Sequence, residues 1–351
     1  MNTSATARHD TARSVPHIPV RPEWLALRAE AALEPDLPII DAHHHLWEFP
    51  DKRYRTRDLL DDLASGHRVV ATVFVECKTH YDANAPAAFA SAGEMRFAVA
   101  EAREADALGA SARVGAALVG NVDLTLGAAA GPALDRLIDA SEGRLRSIRN
   151  IAVWHAHPNV RPSAATPPPG LLLDPSFRAG VAQLAPRKLA FDAWLVHTQL
   201  PELCALADAF GDTPIVLNHV GGPLALGPYR GHRDEVFTAW RDDIRKLSRH
   251  PNVHVKLGGF GMPLFGFDFE TTTLPPDSTT IADAIRPYVE TCVDAFGASR
   301  CMFESNFPVD KGSFGYGVAW NAYKRVTSGL SGSDRAALFH DTAALFYRID
   351  V

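Results

Sequence analysis

Three consecutive histidines, at positions 43 to 45, are the residues best suited to chemistry in this sequence. Residues 41–45 read Asp-Ala-His-His-His and follow the apolar run Leu37–Ile40, as at the end of a strand. Alternate side chains of a strand share a face, so Asp41, His43 and His45 are expected to point one way and His44 the other. Two imidazoles on one face can hold a divalent metal or move protons. The alternative is a polar strand end with surface histidines.

Two more histidines follow later apolar runs. His219 precedes the turn Gly221-Gly222-Pro223, which lets the backbone leave the strand sharply and exposes the imidazole. With His43 and His45 it would supply the three protein ligands of a catalytic zinc site, which keeps one position open for water. His197 is a fourth candidate ligand, and it could equally bind substrate or cap the next helix.

Arg149 and Lys256 are cations inside otherwise apolar strands. The planar fork of a guanidinium suits a carboxylate, because it donates two parallel hydrogen bonds. The two cations therefore predict an anionic or oxygen-rich substrate, bound by Arg149 and Lys256 with help from His197 and Glu76. The alternative is that each cation pairs with a buried acid such as Asp192 or Glu76, which would satisfy the charge inside the protein.

The last apolar run ends in acidic and amide side chains. Glu304 and Asn306 share a face by alternation, and Asp310 follows in the loop. A base that activates water must lie within hydrogen-bond reach of that water. Glu304 and Asp310 can serve by charge, whereas Asn306 can only orient or donate. For Asp310 the alternative is an ion pair with Lys311 or a helix cap.

Eight short apolar runs must position these residues. They are Pro38–Leu46, Val69–Glu76, Arg113–Gly120, Leu145–Ile151, Leu189–Val196, Pro214–Val220, Val253–Gly259 and Arg300–Phe307. Helical patterns lie between them, at Glu94–Leu108, Pro132–Ala140, Pro201–Phe210, Phe237–Ser248 and Ile281–Phe296. This alternation predicts parallel strands joined by crossover helices. The predicted fold class is α/β, a (β/α)8 TIM barrel.

The polar residues support a barrel, because they stand at the carboxyl ends of the runs, where barrel active sites lie. The runner-up fold is an open, doubly wound sheet. The sequence contains no Gly-x-Gly-x-x-Gly turn and no phosphate loop, so nucleotide binding is unsupported.

One catalytic domain is expected at residues 35–351, preceded by an N-terminal extension at residues 1–34. Two long loops, Trp154–Leu173 and Phe260–Thr280, are rich in residues that disfavour regular structure. Both follow strands, so they are candidates for a lid or a specificity wall. The alternative is that they only cover the barrel rim.

Composition narrows the function classes. The formal net charge of -6 argues against a nucleic-acid binder, and no apolar run is long enough to span a membrane. The four cysteines form no Cys-x-x-Cys pair, so neither a disulfide framework nor a thiolate zinc site is indicated. A cytoplasmic location and a small-molecule partner are expected. The oligomeric state stays open, a homo-oligomer included.

The motifs together resemble the amidohydrolase superfamily. They are Asp41-x-His43-x-His45, Asn218-His219-x-Gly221-x-Pro223 and Phe303-x-Ser305-x-Phe307-Pro308, in that order on the predicted barrel. More narrowly, the chain is similar to the amidohydrolase-2 branch, which contains sugar lactonases and 2-pyrone-4,6-dicarboxylate lactonase. The resemblance covers about Pro38 to Tyr347, and Gln199-Leu200-Pro201 also looks like that branch.

The resemblance implies that His43, His45, His197 and His219 match the metal-binding positions of the superfamily. One divalent ion, zinc in the first instance, is the expected cofactor, although some lactonases of this branch work without a metal. The sequence departs from the family at strand eight, where relatives carry a catalytic Asp and this chain has Asn306. An amide cannot accept a proton as a carboxylate does, so Glu304 or Asp310 would replace it, or the chemistry differs.

The leading hypothesis is a hydrolase that opens a lactone or related ester of a small carboxylated molecule. Water, activated by a metal or an acidic side chain, would attack the carbonyl. The second hypothesis is a metal-dependent decarboxylase of an aromatic or muconate-type acid. The third is a non-catalytic binding protein on the same barrel, which Asn306 makes conceivable.

Overall fold

Eight parallel strands form the barrel in the computed structural model, which describes residues 17–160, 163 and 165–350. In chain order the strands are β1 (Ile39–His44), β2 (Trp47–Phe49), β3 (Lys52–Tyr54), β4 (Val69–Val75), β5 (Arg113–Gly120), β6 (Leu145–Ile151), β7 (Ala190–Trp194), β8 (Ile215–Leu217), β9 (Val253–Leu257) and β10 (Cys301–Phe303). Strands β2 and β3 make a separate antiparallel hairpin, and the others pair in the order β1-β4-β5-β6-β7-β8-β9-β10. The predicted α/β barrel is confirmed.

The barrel closes through the segment that follows β10 rather than through β10 itself. The Asn306 amide donates to the His43 carbonyl at 2.9 Å, and the His45 amide donates to the Phe307 carbonyl at 2.7 Å. Closure therefore joins the histidine segment to the acidic segment of the last strand. The backbone itself brings these two candidate site regions together.

Helices flank the barrel on its outer side, except for the last, which enters one end. They are α1 (Pro22–Ala26), α2 (Thr56–Leu63), α3 (Ala92–Ala107), α4 (Gly131–Ala140), α5 (Pro175–Val181), α6 (Leu200–Ala209), α7 (Arg233–Leu247), α8 (Ser278–Phe296), α9 (Tyr316–Val326), α10 (Gly332–Ala336) and α11 (Thr342–Tyr347). A single π-helical turn, Ala337–Asp341, joins α10 to α11. No helix among the described residues has the length and apolarity needed to cross a bilayer.

The barrel interior is filled at one end by the last helix. Ile40, Val73 and Val216 from the strands pack in one buried cluster with Phe346 and Tyr347 of α11. The larger cluster lies between the strands and the outer helices. The interior at this end is thus a packed core and not a pore, as expected for a barrel of eight strands.

The described part of the N-terminal extension crosses the loop that follows β9. The Trp24 indole donates to the carbonyls of Thr272 and Thr273 at 3.2 and 3.1 Å. Lys324 of α9 donates to the Leu33 carbonyl at 2.8 Å. The extension therefore ties this long loop to the barrel wall. The division at residue 34 stays a prediction.

Each of the eight predicted strands exists, and the five predicted helices do as well, with shifted ends. Helix α8 begins three residues earlier than predicted, at Ser278, because the Asp277 side chain accepts from the Thr280 amide and caps it. The sequence analysis did not identify α9, nine of whose eleven residues are buried.

Candidate functional site

The candidate site lies at the carboxyl ends of the barrel strands and is almost closed to solvent. His43, His45, His219 and Arg149 are each at most 5% exposed, and Glu304 is fully buried. These are five of the residues that the sequence nominated, and they come from β1, β6 and the segments that follow β1, β8 and β10. Burial at this level means that each polar atom needs a partner or a ligand.

Glu304 joins two of the histidines. Its Oε1 lies 2.6 Å from His219 Nδ1, and its Oε2 lies 2.8 Å from His43 Nδ1. A carboxylate oxygen can only accept, so His219 Nδ1 carries the proton of its neutral ring. Arg149 can only donate and lies 3.4 Å from His43 Nε2, so that nitrogen accepts with its lone pair. The Nε2 atoms of His43 and His219 are therefore left with lone pairs.

His43 and His45 face each other through their Nε2 atoms, which lie 3.2 Å apart. His45 Nδ1 donates to the Val75 carbonyl at 2.8 Å, so the Nε2 of this ring also carries a lone pair. Burial is the main cause that holds the pKa of both imidazoles well below the ordinary 6.5. The next cause is the positive charge of Lys256 for His43 and that of Arg149 for His45. The Nε2 lone pairs of His43 and His45 thus face the same space. The lowered pKa values disfavour a proton shared between them.

A divalent cation fits this pair of nitrogen atoms. Two ligands of a tetrahedral zinc, each at about 2.0–2.1 Å, lie about 3.3 Å apart, close to the spacing seen here. Metal-binding histidines also donate their other ring N–H to a carbonyl or carboxylate, as His45 does to the Val75 carbonyl. A second donor set shares His43: potential ligand atoms of His43, His219 and Glu304 lie within 4.8 Å of one another. The predicted ligand set of His43, His45 and His219 stays a prediction.

The turn that carries His219 has an unusual backbone. His219 and Val220 both have positive φ, at 53° and 47°, in a region that β-branched residues rarely adopt. The Trp240 indole donates to the Val220 carbonyl at 2.7 Å and holds the turn in place. Strain of this kind is found where the surrounding structure fixes a functional side chain.

A glycine turn after β9 lies directly beneath the acidic residues, and the sequence analysis did not identify it. Gly259 has φ of +73°, and a Cβ on it would lie 2.7 Å from His219 Nδ1. A Cβ on Gly261 would lie 2.8 Å from the Asp310 side chain. The main chain can approach the two side chains this closely only because these residues have none.

The two buried cations pair with the acids that the sequence analysis named as the alternative. Arg149 Nε donates to Glu76 Oε1 at 2.8 Å, and Lys256 Nζ lies 2.8 Å from Asp192 Oδ2. Lys256 is fully buried and also 3.5 Å from His43 Nδ1. The structure thus favours a supporting role for Lys256 over substrate binding. Arg149 keeps one guanidinium nitrogen 3.4 Å from His43 Nε2, so it faces the site.

Asp310 supports Asn306 and the glycine turn. Its Oδ1 accepts from Asn306 Nδ2 at 2.8 Å, and its Oδ2 accepts from the Gly261 amide at 2.9 Å. Burial raises the pKa of Asp310 well above 3.8 and so favours its protonated form, and both of its oxygens already accept from protein donors. The structure favours Glu304 over Asp310 as the acid that replaces the usual Asp, because Glu304 contacts two imidazoles.

Asp41 does not share the site with His43, contrary to the alternation argument. The pairing of β1 with β4 shifts register between Asp41 and His44, and the Asp41 carboxylate accepts from the Ser305 amide at 2.8 Å and the Tyr316 hydroxyl at 3.0 Å. Burial raises the Asp41 pKa to about 6. Asp41 thus joins β1 to the last strand, a structural role. A register shift cannot be detected from strand periodicity alone.

His197 lies outside the cluster of His43, His219 and Glu304. Its Nδ1 accepts from the Leu224 amide at 3.3 Å, and its ring packs against Tyr229. The structure does not bring His197 to the other histidines as a fourth ligand, and its substrate-binding role stays open.

Glu94 is a buried acid that the sequence analysis missed. Its Oε1 accepts from the amides of Cys77 and Thr79 at 2.8 and 3.1 Å. Burial, and then the nearby Glu76, raise the Glu94 pKa to about 8. Glu94, next to Glu76 of the Glu76–Arg149 pair, is therefore protonated and uncharged at neutral pH.

We expect Glu94→Gln to remove part of the pH dependence of stability. Between the ordinary pKa of 4.5 and about 8, folded Glu94 keeps a proton that the unfolded chain has lost, so the free energy of unfolding falls as pH rises. Glutamine still accepts from both amides and never ionises. The variant should match the wild type near about pH 5 and exceed it near about pH 9, on the order of 3 kcal/mol. Urea unfolding at both pH values measures this, and parallel pH profiles would contradict it.

The chain resembles known proteins over most of its length. Residues 40–349 match the sequence profile of the family described as Amidohydrolase. An uncharacterized protein of Sinorhizobium fredii is 42% identical over 175 residues, 50% of this chain and 52% of that protein. The L-fucono-1,5-lactonase of Burkholderia ambifaria is 34% identical over 181 residues, 50% of this chain and 56% of that enzyme. The chain thus spans about half the length of the curated relatives it matches.

The fold also matches solved structures. An amidohydrolase from Burkholderia multivorans, crystallised with bound zinc, superimposes with a TM-score of 0.67 at 24% identity, over 89% of this chain and 99% of that one. The family profile covers the barrel from β1 to α11. The chain belongs to the amidohydrolase family.

Proposed function

We propose that the protein is a hydrolase that opens a lactone, or a related ester, of a small carboxylated molecule. The observation that carries this proposal is the short contact between Glu304 Oε1 and His219 Nδ1, 2.6 Å, at the carboxyl end of the barrel. A buried carboxylate that fixes an imidazole is the arrangement by which hydrolases activate a nucleophile. The similarity to a lactonase supports the lactone as the substrate class.

His219 is the proposed proton acceptor. Its Nδ1 proton is held by Glu304, so Nε2 has a lone pair that can take a proton from an attacking water. The imidazolium that forms is stabilised by the Glu304 carboxylate. The same histidine can then return the proton to the leaving alkoxide of the opened ring.

Arg149 is the proposed group that stabilises negative charge. One of its guanidinium nitrogens lies 3.4 Å from His43 Nε2, and its Nε donates to Glu76 Oε1. A fixed cation in a site closed to water acts strongly on a developing oxyanion or on a substrate carboxylate. Its pairing with Glu76 fixes the guanidinium before substrate binds.

His43 and His45 would hold the divalent metal through their Nε2 atoms, with zinc as the first candidate. When bound there, the metal supplies Lewis-acid polarisation of the scissile carbonyl. A related amidohydrolase from Burkholderia multivorans was crystallised with bound zinc, which supports zinc as the first candidate metal.

A lactone panel tests the function. Purified protein should hydrolyse one or more members of a set that includes L-fucono-1,5-lactone, with acid release followed by pH-stat. The variant His219→Asn serves as the control for spontaneous ring opening. No release above that control, in metal-loaded protein, would overturn the proposal. Release of carbon dioxide from aromatic acids would instead indicate the decarboxylase.

Metal content is the direct test of the histidine pair. We expect about one equivalent of divalent metal per chain in protein purified without chelators, and less than about a tenth of that in His43→Asn and His45→Asn. Each substitution removes one Nε2 donor from the pair. Inductively coupled plasma mass spectrometry measures the content, with His250→Asn, a change on the outer surface, as the matched control. Equal content in all four proteins would contradict the assignment.

A further inference from the structure

A second group of polar rings lies on the loops after β6, β7 and β8, apart from the cluster of His43, His219 and Glu304. It consists of His155, His197 and Tyr229. The rings of His197 and Tyr229 pack edge to face with their centroids 5.2 Å apart. We call these two residues the His197–Tyr229 pair.

The proton of His197 is on Nε2. The Leu224 amide lies 3.3 Å from His197 Nδ1 and can only donate, so Nδ1 must accept with a lone pair. Burial lowers the His197 pKa to about 4, which keeps the ring neutral. The Nε2–H is therefore a fixed donor. In the described part of the chain nothing accepts a hydrogen bond from it, although the residue is only 5% exposed.

The Tyr229 hydroxyl is also left as a donor. The His157 amide donates to His155 Nδ1 at 3.0 Å, so the neutral His155 ring carries its proton on Nε2. That Nε2 lies 3.0 Å from the Tyr229 oxygen and donates to it. The Tyr229 oxygen thus already accepts, and its own O–H has no acceptor among the residues that the structure describes.

The His197–Tyr229 pair is tied to the turn that carries His219. The Gly222 amide donates to the His219 carbonyl at 2.9 Å, and the Gly222 carbonyl accepts from the His197 amide at 3.3 Å. Trp194 packs its edge against His219, with centroids 4.7 Å apart, and comes from the strand that precedes His197. The pair therefore lies at the same end of the barrel as the reacting groups, as the strand ends require.

We propose that the His197–Tyr229 pair is a recognition subsite for an oxygen substituent of the substrate, distant from the ester that is opened. The inference rests on the proposed function and deepens it, because it assigns residues that select the substrate. Two neutral donors that have no acceptor among the described residues suit hydroxyl or carboxyl oxygens and give an apolar lactone nothing to bind. The preferred substrate is therefore a lactone that carries an oxygen substituent besides its ester.

Two substrates with the same ring separate this subsite from the catalytic groups. L-fucono-1,5-lactone carries hydroxyl groups, and δ-valerolactone is the same six-membered lactone without them. Tyr229→Phe keeps the ring that packs on His197 and removes only the donor. It should raise KM for the hydroxylated lactone about 5- to 10-fold, with kcat within about twofold, and leave δ-valerolactone unchanged.

His197 offers an internal rescue. His197→Asn retains an acceptor for the Leu224 amide but lacks the outward donor, and it should reproduce the effect of Tyr229→Phe. His197→Gln can place an amide N–H near the position of Nε2, and it should recover most of the lost affinity. Tyr81→Phe is the matched control, because the Tyr81 hydroxyl already donates to Asn121 at 3.3 Å. That control should change neither substrate.

Binding without turnover separates failure of the subsite from failure of the proposed function. Calorimetric titration with L-fuconate, the ring-opened acid, should show weaker binding to Tyr229→Phe and His197→Asn than to the wild type and Tyr81→Phe. Equal affinity in all four proteins, or equal KM changes for both lactones, would overturn the subsite. Binding that follows the prediction in a protein without lactonase activity would retain the subsite and reject the hydrolase.

Discussion

Replacing Glu304 by glutamine should lower kcat by about 100- to 10,000-fold, the range that a positioned general base contributes. Glu304 Oε1 accepts from His219 Nδ1, and Oε2 lies 2.8 Å from His43 Nδ1. The glutamine amide has one oxygen and one nitrogen, so it can present an acceptor to only one of these two imidazoles. The other imidazole loses its partner, and His219 loses the negative charge that stabilises its protonated form. KM should change much less than kcat, because the lost interaction strengthens in the transition state.

The matched control for this variant is Glu101→Gln. Glu101 is equally buried, accepts from Arg55 and from the Thr56 amide, and lies outside the site. We expect Glu101→Gln to keep its kcat within about threefold while its melting temperature falls, whereas Glu304→Gln loses kcat with its fold intact by circular dichroism. A Glu304→Gln protein with wild-type kcat on an active lactone would remove Glu304 and His219 from the mechanism.

Lys256→Met should lower the free energy of unfolding by about 3–5 kcal/mol, the cost of leaving one partner of a buried ion pair alone. Lys256 and Asp192 are both fully buried with 2.8 Å between their charged atoms. After the substitution Asp192 would keep only the neutral donors Asn218 and Tyr347, at 3.0 to 3.2 Å. Methionine fills the space of the lysine stem, so the loss reports the charge and not a cavity.

A double variant separates charge from packing. In Lys256→Met with Asp192→Asn, the amide oxygen can still accept from Asn218 or Tyr347 and no unpaired charge remains. We expect the double variant to recover at least half of the stability lost by Lys256→Met. Urea unfolding of the wild type, the two single variants and the double variant measures this. A single variant within about 1 kcal/mol of the wild type would show that the buried pair is not needed for stability.

The strands and the general position of the site could be predicted, because both depend on local patterns. A strand leaves an apolar run in the sequence, and the barrel topology brings the ends of such runs together. His43, His219 and Glu304 were found in this way, and they lie together in the structure.

What could not be predicted depends on pairing between distant segments. The side of the barrel that Lys256 faces follows from alternation, but its partner Asp192 is on another strand and was only one of two alternatives. The same holds for Asp310, whose two oxygens are occupied by Asn306 and by the Gly261 amide. Tyr229 carried no signal, because a tyrosine in a loop acquires a defined hydroxyl direction only when a neighbour such as His155 is placed against it.

The glycine turn beneath His219 and Asp310 limits how this site can change over evolutionary time. A side chain at Gly259 or Gly261 would collide with His219 or Asp310, so at these two positions only main-chain atoms can lie against them. No other amino acid can therefore occupy these two positions unless the site itself rearranges. We expect new specificities in such a protein to arise in the loops after β6 and β8, which carry His155 and Tyr229.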